Sequence, residues 1–185
     1  VVVSNLTFEG EHLADSQASV STGIYYVGSS GRVEDCRITG FRGNTLGSQL
    51  ANGLRVVNPT TVGTNVVSIQ ILRNTFADNV VSISLIGDDR KSNDPSFDPS
   101  LLRTTFVVSD NTITGNGPDA TGLQDGIDIY AGATGEVSRN TISDHAYMGG
   151  DPAPYAFGIL ADDVFDFGNN ELVPLKPIRF DGNVL

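Results

Sequence analysis

The sequence predicts an all-β fold, a right-handed single-stranded parallel β-helix of about five or six coils with loops inserted at its corners. Three observations carry that expectation. A short Asn-centred pattern recurs along the chain, a Gly-led strand pattern alternates with it, and no segment sustains the 3.6-residue apolar spacing of a helix.

The first pattern sets an apolar residue two or three positions before an Asn and a second apolar residue two positions after it. Its clear copies are Leu72, Asn74 and Phe76, then Val108, Asn111 and Ile113, then Val137, Asn140 and Ile142. Weaker copies run through Val3, Leu6 and Phe8, through Val33, Cys36 and Ile38, and through Phe167, Asn170 and Leu172. The second pattern starts at Gly23, Gly53, Gly126 and Gly158, and the segment 81–84 reads as the same element with Val81 as its first apolar residue and no Gly. From the first apolar residue of the second pattern to the next Asn-type position the interval is 12 (24 to 36), 13 (127 to 140) or 11 (159 to 170). The return is as short as 7 (74 to 81) or 8 (170 to 178), so the minimal coil is about 20 residues, with insertions at particular corners.

Period-2 alternation then sorts the strand residues. Ile24, Leu54, Ile127 and Ile159 are expected to stack inward. Tyr25, Arg55, Ser82, Asp128 and Leu160 form a first outward column, and Val27, Val57, Ser84, Tyr130 and Asp162 a second.

Composition bounds the rest. The chain of 185 residues is read as one domain, 1–185; 39% hydrophobic content supplies a core, and no apolar run long enough to insert into a membrane occurs. Net charge of −11 comes from 17 Asp and 5 Glu against nine Arg and two Lys, which leaves no basic surface for nucleic acid. Most of the Asp residues stand in turn contexts, where a short carboxylate bonds to its own backbone. Cys36 is the only cysteine, so no internal disulfide can form. Both ends fall within apolar strand patterns, so the chain is expected to be a piece of a larger extracellular or cell-surface protein. Open strand edges at 1–3 and 178–185 would then let it associate end to end or dock flanking segments.

The Asn-x-apolar frame and the Gly-led strands together resemble the repeats of the pectate-lyase-like superfamily. That resemblance implies an inward ladder at Asn74, Asn111, Asn140 and Asn170, interrupted at Leu6 and Cys36. It implies a fold shared by polysaccharide hydrolases and lyases and by non-catalytic surface proteins.

In such a fold, chemistry belongs to the outward columns and the corner loops. Aromatic faces stack on sugar rings and carboxylates accept from vicinal hydroxyls, so Tyr25, Arg55 and Tyr130 are the candidate polysaccharide contacts, joined by His145 and Tyr147 from an inserted corner. Asp125, Asp128, Asp162 and Asp163 are the candidate catalytic acids. In stacked strands the α-carbons of Asp128 and Asp162 would lie about 8 Å apart, within the roughly 6.5–9.5 Å carboxyl spacing of inverting glycosidases. The segments 124–128 and 161–163 resemble parts of the polygalacturonase-type hydrolase motifs, whose Gly-His-Gly and Arg-x-Lys elements are absent here. A lyase would need carboxylate-bound Ca²⁺ with an Arg or Lys as base. Asp88, Asp89, Asp94 and Asp98 in the insertion 87–105 are oxygen donors of the kind Ca²⁺ takes, without EF-hand spacing. The alternative to glycan binding is a structural spacer or adhesin segment.

Overall fold

A computed structural model describes residues 1–10, 22–42, 51–58, 65–87, 104–119, 124–130, 132–147, 156–161, 165–166, 171–172 and 177–185. Every element among them is a β-strand, and three parallel sheets collect nearly all of these strands. No helix among the described residues is long and apolar enough to cross a membrane.

The first sheet stacks β1 (Val2–Ser4), β4 (Gly31–Glu34), β7 (Val67–Leu72), β10 (Thr104–Ser109), β13 (Ala133–Ser138) and β18 (Ile178–Asp181) in that order. The second stacks β2 (Thr7–Glu9), β5 (Arg37–Thr39), β8 (Thr75–Ala77), β11 (Thr112–Asp119) and β14 (Thr141–Tyr147). The third stacks β3 (Thr22–Val27), β6 (Asn52–Val57), β9 (Val81–Ile86), β12 (Gln124–Ile129) and β15 (Ala156–Ala161). A short antiparallel pair, β16 (Phe165–Asp166) and β17 (Glu171–Leu172), stands apart from them. The chain visits the three sheets in rotation and adds one strand to each, which fits a parallel β-helix.

Alternation explains the core. Val33, Ile71, Val108 and Val137 share one inward column of the first sheet, and Ile38, Phe76, Ile113 and Ile142 share one of the second. Leu54, Ile83 and Ile127 continue the pile in the third, and all of these side chains are buried. The Gly-led pattern has a steric cause: a Cβ at Gly23, Gly53 or Gly126 would come within 2.9 Å of the carbonyl oxygen of the next strand in the stack. Only glycine lets the backbones approach that closely without adjustment.

One residue turns the chain from the first sheet into the second. Asn5, Asp35, Arg73, Asp110, Arg139 and Gly182 occupy this corner, each left-handed with φ between 54° and 60°. The next residue points inward and forms the ladder. Asn74 accepts the Cys36 N–H (2.9 Å) and donates to Val33 O (3.0 Å); Asn111 accepts the Asn74 N–H (2.8 Å) and donates to Ile71 O (2.9 Å). Asn140 repeats the pattern on Asn111 and Val108.

The ladder departs from expectation at its far end. Asn183, not Asn170, follows Asn140: its Oδ1 accepts the Asn140 N–H (3.0 Å) and its amide donates to Val137 O (2.8 Å). Accordingly Ile178 opens a strand of the first sheet, paired with β13, rather than a strand of the Gly-led sheet. The frame Phe180, Asn183, Leu185 is another copy of the Asn-centred pattern. Asn170 lies outside the described residues.

Candidate ligand-binding face

The third sheet carries the Gly-led strands, and its outward positions follow from their register. Tyr25 pairs with Arg55, Arg55 with Ser84, Ser84 with Asp128, and Asp128 with Leu160. Four of the five residues expected in the first column are there; Ser84 stands where Ser82 was expected. Ile83, not Val81, aligns with Leu54 and Ile127, because Val81 pairs with Asn52 and Asp125. Ser82 thus takes the place of the glycines and is fully buried. By the same two-residue shift the second column holds Val27, Val57 and Ile86. Tyr130 follows β12, its N–H donating to Leu85 O (3.0 Å).

From Tyr25 to Asp128 the row grades from open to buried, and Leu160 beyond them is half-buried. Tyr25 is 53% exposed, Arg55 is half-buried, and Ser84 and Asp128 are 4% and 3% exposed. Arg55 Cζ lies 6.0 Å from the centre of the Tyr25 ring, within range of a cation–π contact. The Arg55 Nε is buried and makes no hydrogen bond. Arg32, Arg42, Arg73, Arg139 and Arg179 all pair with carboxylates. Asp128 Oδ2 accepts a hydrogen bond from the Tyr130 hydroxyl at 3.4 Å.

The two described acids of the catalytic quartet face opposite ways. Asp125 and Asp128 are three residues apart on β12, an odd offset that puts them on opposite faces of the sheet. Asp125 points inward, accepts the Phe157 N–H at 3.0 Å, and is pushed up to about 6 by burial, against the opposing pull of that bond. Asp162 and Asp163 lie outside the described residues, beyond the end of β15, as do the acids of the insertion at 88–100.

His145 and Tyr147 belong to β14 of the second sheet, where their backbones pair with Gly117 and Asp119. His145 is half-buried, and burial lowers its pKa from the usual 6.5 against the opposing pull of the Ser143 backbone and the Asp144 carboxylate. Among the described residues no three His, Cys, Asp or Glu side chains converge in a geometry that could hold a metal ion. The described side chains therefore supply an aromatic ring, a guanidinium, a serine hydroxyl and a carboxylate in one straight row at strand spacing.

Sequence reasoning missed Ser84 as a member of the first column. Its signal was the pair Ile83 and Leu85, which matches Ile127 and Ile129 as well as Val81 and Ile83 do.

No protein-family model matches this chain, and no curated protein or solved structure matches it at a significant level.

Proposed function

We propose that the chain is a right-handed β-helix of pectate-lyase-like type, with five coils through all three sheets and a further partial one, that holds a polysaccharide across the outer face of its third sheet. Right-handed winding is the usual sense for parallel strands joined by crossovers. The observation that carries the glycan reading is Arg55. A buried donor without a partner costs roughly 1–3 kcal/mol, and a ligand seated on the Tyr25 ring that drew the Arg55 guanidinium outward would give that nitrogen an acceptor.

A linear polymer suits a straight row whose groups repeat about every 4.8 Å. Tyr25 offers a ring face for stacking, Arg55 a donor fork, and Asp128, aligned by Tyr130, a carboxylate for sugar hydroxyls or for acid catalysis. In its enzymatic form the reading is hydrolysis with Asp128 and Asp162 as the carboxyl pair; Asp125, facing inward, would support β12 rather than touch the sugar. An extracellular or cell-surface setting follows from that partner.

One observation favours the second reading, a non-catalytic spacer or adhesin segment: the middle of the row, at Ser84 and Asp128, is closed to solvent. A glycan array separates the two, with wild type beside Arg55→Ala and Asp128→Asn/Asp162→Asn, each in the presence and absence of Ca²⁺. Binding by wild type that weakens about tenfold in Arg55→Ala, equivalent to 1.4 kcal/mol, supports the glycan face. Loss in the double variant with retained thermal stability extends the ligand to Asp128 and justifies assays of turnover. No binding by wild type in either condition leaves the spacer.

A further inference from the structure

The corner between the first and second sheets carries a charge pattern that neither packing nor ligand binding requires. Four consecutive coils place Asp35, Arg73, Asp110 and Arg139 there, so the sign alternates at every step. The first and last pairs are bidentate. Arg73 reaches Asp35 through Nε (2.9 Å) and Nη2 (2.8 Å), and Arg139 reaches Asp110 through the same two nitrogens, at 2.8 Å each. These bonds hold both carboxyls below their ordinary range and both guanidiniums above theirs, and Arg73 also lowers Asp110 across the middle step.

Backbone conformation makes the choice of residue costly. Left-handed φ suits Gly, Asn and Asp, and the column ends in Asn5 and Gly182, yet Arg stands at φ 54° twice. The neighbouring columns distinguish the coils only at Phe76 and Cys36. Val33, Ile71, Val108 and Val137 are near-equivalents, as are Ile38, Ile113 and Ile142, and the ladder repeats Asn at 74, 111 and 140. A coil stacked on the wrong neighbour would keep its apolar contacts and most of its ladder.

We propose that the alternating corner column is a register key that makes each coil stack on its immediate neighbour. Every correct contact is between opposite charges. Every contact that skips one coil is between like charges, Asp35 on Asp110 or Arg73 on Arg139, and like charges directly opposed in a sheet are unfavourable. Exposed ion pairs contribute little to stability; the key acts by disfavouring the wrong stack.

The test compares two recoded columns after refolding from denaturant. In the inverted column, Asp35→Arg/Arg73→Asp/Asp110→Arg/Arg139→Asp, alternation survives with its signs exchanged. In the uniform column, Arg73→Asp/Arg139→Asp, four acids stand in line. Stacking is read by oxidation of cysteine pairs in a Cys36→Ser background. Thr75→Cys/Thr112→Cys reports correct neighbours, which are paired across β8 and β11. Arg37→Cys/Thr112→Cys reports a skipped coil, because strands two steps apart, at roughly 9.6 Å, are too distant for a disulfide. The expected result is wild-type refolding yield and neighbour cross-linking for the inverted column. The uniform column should refold severalfold less well at low salt and gain skip cross-links, and 1 M NaCl, which screens charge to about 3 Å, should let the wild-type column gain skip cross-links as well. Uniform and wild-type columns behaving alike at low salt would overturn the proposal, as would an inverted column failing as badly as the uniform one, or a wild-type column whose cross-links 1 M NaCl leaves unchanged.

Discussion

At the scale of single residues, a buried carboxyl and a half-buried imidazole oppose each other with pH. Asp125 has its pKa raised to about 6 by burial, so the fold binds its proton more tightly than the unfolded chain does. The sign follows: the carboxylate costs stability above pH 6, and the cost is relieved as pH falls toward 4. His145, with its pKa lowered by burial, acts the other way, and protonation below 6.5 destabilises the fold. Asp125→Asn removes only the first effect. Urea titrations at pH 7.5 and pH 4 should show the variant gaining on wild type by about 2 kcal/mol more at the higher pH, from 1.36 kcal/mol per pKa unit. Equal differences at both pH values would mean that Asp125 is not buried in the charged state. In the sequence Asp125 looked like one of four clustered acids, although the alternation that turns Ile127 inward gives the same face to Asp125 two residues before it. Strand parity decides its face, and parity became certain only once the pairing of β12 was known.

At the scale of elements, the ladder is the feature most legible in sequence, because an amide that must satisfy backbone at a bend tolerates few substitutes. Asn74, Asn111 and Asn140 stand as expected, and Cys36 follows the same rule with weaker chemistry. Its Sγ lies 3.7 Å from Val3 O, the carbonyl that an amide there would bond. Asn183 was missed because Asn170 fits the ladder position in the sequence, and the return of 8 residues counted from it made Ile178 the start of a Gly-led strand. The two-residue slip at β9 has a related cause: Val81 and Ile83 are both apolar, and no Gly marks the start. Asn111 accepts from the Asn74 backbone and side chain and donates to Ile71 O and to Asn140. Asn111→Ala leaves several of those groups buried and unsatisfied, so denaturant unfolding should show a loss of about 2–4 kcal/mol. Asn183→Ala, with exposed strands beside it, should lose less than half as much. A neutral Asn111→Ala would mean that the ladder is a consequence of the corner and not a support for it.

At the scale of the whole molecule, the described strands at both ends of the stack expose apolar side chains. Val1, Val2 and Leu6 are 77%, 58% and 52% exposed at one end, and Phe180, Val184 and Leu185 are 48%, 62% and 79% exposed at the other. Edge strands with unpaired backbone groups and apolar side chains invite a further parallel strand, so a second copy can add β1 to β18 head to tail. The ladder sets how well it fits. In each step from Cys36 onward the ladder residue of the later coil accepts the backbone N–H of the earlier one and donates to the carbonyl three residues before it, as Asn183 does with Asn140 and Val137. In a head-to-tail pair, Leu6 of the second copy would stand over Asn183 with no amide to accept its N–H or to reach Phe180 O. Apolar contact therefore favours the association while the ladder opposes it, and the 185-residue chain should self-associate weakly. Leu6→Asn supplies the missing amide at an exposed position where it costs the monomer little. Sedimentation velocity across a concentration series should show reversible association of wild type, and the same association at severalfold lower concentration for Leu6→Asn. If both remain monomeric to millimolar concentration, the ends are not sticky. If both associate equally, the contact does not run through the stacked ends.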